Sequence, residues 1–195
     1  MAITLGVLVS GNGTNLQAIL DAVAAGRLDA KVALVISNKP DVPALARAAR
    51  AGVPHTVISH RDKPSREAFD AEIVQALRHA GAEWVVLAGF MRILTPVLLD
   101  AYAGRVINIH PALLPSFPGV NAQRQALEHG VKISGCTVHF VDTGVDTGPI
   151  IAQRAVPVLP GDDEASLSQR IHAAEHELLV EVLSDIAQGK IRAGR

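Results

Sequence analysis

The chain has 195 residues, 49% of them hydrophobic, and sets 18 lysines and arginines against 19 aspartates and glutamates for a formal net charge of −1. That is enough apolar material for one complete core, so a single domain over 1–195 is expected, while the balanced charge offers no field for a nucleic-acid backbone. One cysteine, Cys136, excludes an internal disulfide and a multi-cysteine zinc site, and no run approaches the roughly 18 apolar residues of a membrane span, so the expected setting is cytoplasmic, with neither nucleic acid nor membrane as a partner.

Residues 3–9 read as a buried strand, and Ser10-Gly11-Asn12-Gly13-Thr14-Asn15 as the turn into a helix of about residues 15–25, with Thr14 and Gln17 matching the S/T-x-x-E/Q capping box. Such a turn leaves unpaired backbone N–H groups at the positive end of the helix dipole, which is the physical basis of an anion or phosphate site. A dinucleotide is disfavoured, because Leu16 stands at the third glycine position and Ser37-Asn38-Lys39 ends the next strand where a ribose-binding acid is needed. A strand at 31–37, a helix at 42–51 and a short strand at 56–58 then give the rhythm of a parallel sheet. Phe69, Ile73 and Leu77 mark an amphipathic helix over 65–80, and 84–88 is the fourth strand. Its end, Gly89-Phe90-Met91-Arg92-Ile93-Leu94, falls on the same sheet edge as the glycine turn.

The fifth strand, 105–110, must stop at His110, because Pro111 and Pro115 follow. In a period-2 strand Asn108 and His110 share a face, so an amide and an imidazole point together from the carboxyl end, where open α/β sheets bind ligands. A helix over 122–129 follows, and then strands 133–141 and 149–158, whose connection is too short for a crossover helix and so predicts an antiparallel pair at the sheet's edge. In that connection Asp142 reads as a surface turn residue, whereas Asp146 lies in a glycine-bracketed stretch able to fold back over a site. The last element, a helix over 164–188, carries Leu167, Ile171, Leu178, Val182 and Ile186 on one face; Glu175 falls on that stripe, and a carboxylate on a buried face needs a partner or a ligand. The whole predicts a single-domain α/β fold with a predominantly parallel, doubly wound, Rossmann-like sheet and antiparallel pairing in its C-terminal part.

Three segments in this order and spacing, 10–17, 108–115 and 142–149, resemble the phosphoribosylglycinamide formyltransferases, the folate-dependent enzymes of purine synthesis, and the likeness runs over nearly the whole chain. The resemblance implies the formyltransferase fold, 10-formyltetrahydrofolate as cosubstrate, glycinamide ribonucleotide as acceptor and no metal. It implies that Asn108, His110 and Asp146 are catalytic. Gly13, Thr14, Asn15 and Glu175 would serve the ribonucleotide, the first three at its phosphate. Met91, Arg92, Leu94 and Asn108 would serve the folate. Ala112 stands where many members have Ser, so no hydroxyl there can move a proton, and Gln123 stands where some have His.

The chemistry requires these types. A primary amine attacking a formyl carbon gives an oxyanion beside a protonated nitrogen, so amide and imidazolium donors stabilise the first. A carboxylate beside the imidazole favours its charged form and, with a water, relays the proton to the departing folate nitrogen. Two rivals remain at this stage, a related formyltransferase acting on another amine and a non-catalytic nucleotide-binding module that uses only the glycine turn.

Overall fold

The computed structural model describes residues 2–194. Strands β1 (Ile3–Val9), β2 (Ala30–Ser37), β3 (His55–Val57), β4 (Trp84–Leu87) and β5 (Val106–His110) pair in parallel. Strand β6 (Ile133–Phe140) runs against β5, and β7 (Ile150–Pro157) runs against β6, giving one sheet in the order β3-β2-β1-β4-β5-β6-β7. The antiparallel pairing in the C-terminal part is as expected; it reaches one strand further inward, to β5.

The helices are α1 (Thr14–Ala24), α2 (Pro43–Arg50), α3 (Arg66–His79), α4 (Pro96–Ala101), α5 (Ala122–His129) and α6 (Glu164–Ala187). The period of two along each strand sorts the core between the two faces. Leu5, Val7, Val86, Ile107 and Val138 pack with α1, α2, α5 and α6, whereas Leu8, Ile36, Val85, Leu87 and Val106 pack with α3 and α4. Phe69, Ile73 and Leu77 of α3 are all buried at the predicted four-residue spacing. Burying each such side chain is worth about 1.5–3 kcal/mol relative to leaving it in water. Helix α6 starts on a reciprocal cap, in which Asp163 Oδ1 accepts from Ser166 N at 2.8 Å and Ser166 Oγ accepts from Asp163 N at 3.0 Å.

Two local expectations are corrected. Helix α1 is not capped by Thr14 and Gln17: Gly13, with φ at 76°, occupies the cap and Thr14 is already helical, so its hydroxyl is one position too late. Gln17 instead donates to Asp21 at 2.8 Å and accepts from Arg47 at 3.3 Å. Helix α4 was not anticipated; its six residues bury only Leu98, too little to make a period.

The second face is covered unevenly, and this positions the site. Helices α3 and α4 cover it over the sheet's middle. Asn108 and His110 continue the row begun by Val106, and the β5–β6 register sets His139 opposite Asn108 and Thr137 opposite His110, so polar side chains replace the core there. Thr137 locks the chain that leaves β5, its Oγ1 donating to Ala112 O at 2.7 Å and accepting from Leu114 N at 3.1 Å.

Candidate active site

At the carboxyl ends of the parallel strands lies a cavity of about 850 Å³. Gly13, Thr14, Asn15, Met91, Arg92, Leu94, Asn108, His110, Asp146 and Glu175 all line it, so the candidate catalytic and binding residues meet in one place. Gln123 also lines it, half-buried, whereas Ala112 is fully buried.

Its centre is a polar cluster on an almost water-free floor, with His110 at 4% exposure and His139 at 2%. The 140–149 connection folds back over the sheet face and puts Asp146 Oδ2 at 3.4 Å from His110 Nδ1, while the same oxygen accepts from Gly119 N at 2.7 Å. This return depends on Gly148, where a Cβ would lie 1.8 Å from Phe140 O. His110 Nε2 donates to Phe117 O at 2.8 Å, so acceptors face both of its ring nitrogens. Asp142, by contrast, is exposed and closes its own turn by accepting from Gly144 N and Thr147 Oγ1, as expected.

His139 was missed in the sequence. Its Nδ1 donates to Phe140 O at 2.8 Å, which leaves Nε2 to accept from Asn108 Nδ2 at 3.2 Å. That is the neutral tautomer, in keeping with burial, which lowers its pKa against the opposing effects of the Phe140 carbonyl and the Asp146 charge. Asp146 Oδ1, at 3.8 Å from Nε2, is beyond hydrogen-bond reach. One amide hydrogen of Asn108 is thereby held by His139 and the other is left for the cavity. The signal available beforehand was a second histidine at period two from Thr137 on a strand able to pair with β5.

The other end of the cavity is the start of α1. No side chain caps this helix, and Gln17 N, bonding Gly13 O at 2.9 Å, is its first donor with an intrahelical partner, so the N–H groups ahead of it remain for a ligand or water. Arg47 of α2 holds the turn from behind, Nε donating to Asn12 O at 2.8 Å and Nη2 to Asn12 Oδ1 at 3.1 Å. Beside it Glu175, 3% exposed on α6, has its pKa pushed up to about 7 by burial, offset by a hydrogen bond from the Asn15 amide. Asn15 Oδ1 is buried without a partner, an acceptor aimed at nothing in the described protein.

The 89–94 segment forms the third wall. Asp70 anchors its far end, Oδ2 accepting from Thr95 N at 2.6 Å and Thr95 Oγ1 at 2.8 Å, while Arg66 Nη2 donates to Ile93 O at 3.1 Å. Burial raises the Asp70 pKa although both Thr95 bonds oppose it. Met91 N is also engaged, by Ser10 Oγ at 2.9 Å, so a ligand meeting this segment cannot use that N–H.

An imidazole facing a carboxylate, with an amide on the same strand face, set within a cavity that also holds a free helix start, is an arrangement suited to stabilising charge that develops at a carbonyl centre. The chain belongs to the formyl transferase family, whose model matches residues 4–183. It is 46% identical over 187 residues to the phosphoribosylglycinamide formyltransferase of Escherichia coli strain K12, covering 95% of this chain and 88% of that one. It is 55% identical over 185 residues to the trifunctional purine biosynthetic protein adenosine-3 of Drosophila melanogaster; there the match covers 94% of this chain but only 14% of the longer protein. Among solved structures, glycinamide ribonucleotide transformylase 1 from Symbiobacterium toebii superposes with a TM-score of 0.96 at 52% identity, over 100% of this chain and 92% of that one.

Proposed function

We propose that this protein transfers the formyl group of 10-formyltetrahydrofolate to the amine of N1-(5-phospho-D-ribosyl)glycinamide, giving formylglycinamide ribonucleotide and tetrahydrofolate in de novo purine synthesis. It acts as one domain over 1–195, in the cytoplasm. The observation that carries this reading is that a helix start open to a phosphate and the Asn108, His110 and Asp146 cluster share one cavity of about 850 Å³. A nucleotide-binding module would need only the first of these. Placement in the cytoplasm is supported by the single cysteine, which is free and buried.

The phosphate lies on the N–H groups of Gly13, Thr14 and Asn15, and Glu175 takes the sugar. Met91, Arg92 and Leu94 wall the folate, the Met91 N–H being already spent on Ser10. The amine adds to the formyl carbon, and the free Asn108 hydrogen, oriented by His139, meets the developing oxyanion. His110 adds a second donor by turning its Nε2–H from Phe117 O to that oxygen. Asp146 faces Nδ1 of that ring and, through a water, carries the proton from the amine nitrogen to the folate nitrogen as the old C–N bond breaks. All donors and the base belong to this chain, so the reading calls for no metal.

A competing-acceptor assay tests the assignment. Turnover is expected with glycinamide ribonucleotide and none with methionyl-tRNA, which needs the extended positive surface that a net charge of −1 does not supply. Transfer to methionyl-tRNA at a comparable kcat/KM, or inactivity of folded protein toward glycinamide ribonucleotide, overturns it.

A further inference from the structure

We propose that Ser10 is a positioning residue that couples the two substrate subsites: it opens the phosphate turn in sequence, yet its side chain serves the folate wall. The inference rests on the assignment of the 11–15 turn to the ribonucleotide and of the 89–94 segment to the folate.

The chain of hydrogen bonds has only one direction. Met91 N–H must donate to Ser10 Oγ at 2.9 Å, which frees the hydroxyl proton for Asn38 Oδ1 at 2.5 Å. Asn38 then presents Nδ2, a donor, towards His60 Nδ1 at 3.4 Å. Ser10 is 5% exposed and Asn38 3%, at the ends of β1 and β2, so neither side chain needs water to complete its bonds. The Ser37-Asn38-Lys39 stretch, which offers no ribose-binding acid, therefore has a different use.

Met91 shows why the tether matters. The residue is 63% exposed, so packing does little to fix its backbone, and the part-buried bond to Ser10 holds it. On its other side Ser10 continues directly into Gly11, whose carbonyl accepts from Ala44 N at 3.1 Å. Ordering the turn around a phosphate thus orders the folate wall through one residue, and by linkage the reverse holds equally.

The test compares the parent protein with Ser10→Ala, which removes the hydroxyl without adding bulk. Amide exchange is followed over 89–94, and tetrahydrofolate and glycinamide ribonucleotide are each titrated alone and in the presence of the other. In Ser10→Ala, exchange at Met91 accelerates and tetrahydrofolate affinity falls about five- to tenfold, the worth of one buried hydrogen bond. The ribonucleotide titrated alone stays within about twofold, and the mutual enhancement seen in the parent drops towards one. Asn38→Ala, which removes only the outer acceptor, shifts folate affinity the same way by less. Unchanged exchange and unchanged folate affinity in Ser10→Ala, a loss that falls on the ribonucleotide, or a parent with no mutual enhancement would each overturn the proposal. A parent that binds neither substrate but shows the exchange difference would instead sink the functional reading and leave the tether standing.

Discussion

Asp146 faces His110 across 3.4 Å from Oδ2 to Nδ1, and the oxygen that does so is also bonded to Gly119 N. The two side chains are in direct contact, so their contributions are not expected to be independent. His110→Ala removes an oxyanion donor and should lower kcat by about 10²–10³, or about 2.7–4 kcal/mol. Asp146→Ala should approach that loss, and the double variant should be little worse than the worse single one. Kinetics of the three variants decide it, and simple additivity would count against the pair.

His139 should matter through Asn108. His139→Ala leaves the Asn108 amide free to rotate, and a net hydrogen bond of about 0.5–1.5 kcal/mol predicts a fall in kcat of roughly two- to tenfold. Because the histidine works as a neutral acceptor, His139→Gln, which can present an oxygen, should recover part of the loss. A steady-state comparison of the two variants checks this; equal losses in both would argue against the orienting role.

The two turn glycines separate binding from folding. At Gly13 a Cβ would lie 2.6 Å from the Ala44 Cβ, on a backbone with φ at 76°, so Gly13→Ala should lower Tm by several degrees. At Gly11 a Cβ meets nothing within 4 Å, and the residue lines the cavity. Gly11→Ala should keep the parent's Tm and raise KM for the ribonucleotide more than for the folate. Equal rises in both KM values would remove the turn from the phosphate site.

Glu175 gives a pH signature. Burial pushes the carboxyl from 4.5 up to about 7 on folding, so the folded state holds the proton more tightly. Stability from this group falls as pH rises between those values and levels off above the upper one. Glu175→Gln should match the parent at pH about 5 and exceed it at pH about 8 by up to about 3 kcal/mol, at 1.36 kcal/mol per pKa unit. His139 and His176, whose lowered pKa values act oppositely, are common to both proteins and largely cancel, whereas the exposed His172, 3.9 Å from the carboxylate, is the one neighbour the substitution alters. Denaturant unfolding at the two pH values measures it, and an equal difference at both would dismiss the buried charge as its cause.

What the sequence disclosed was local. The strand, turn and helix order is written in period and breakers, and prolines alone stop β5 at His110, so the Asn108 and His110 pair is visible without any tertiary contact. Glu175 was legible because a helical stripe betrays a misplaced carboxylate. His139 was not, because its meaning comes from standing opposite Asn108, and cross-strand register is a property of two distant segments. The start of α1 was misread for a different reason: Thr14 and Gln17 have capping-box spacing whichever residue is the cap, and only the left-handed Gly13 backbone says which.

Around the His110 and Asp146 pair, Phe117, Asn121 and Asp146 all hold positive φ, at 53°, 57° and 55°. Asn and Asp visit this region readily, but a phenylalanine held there costs about 1–3 kcal/mol. The Phe117 carbonyl is the one that holds His110 Nε2. An engineer who relieved that strain with Phe117→Gly would give up the ring that packs on the core and lies edge-on to His129 at 5.3 Å, and would slacken the grip on the imidazole as well.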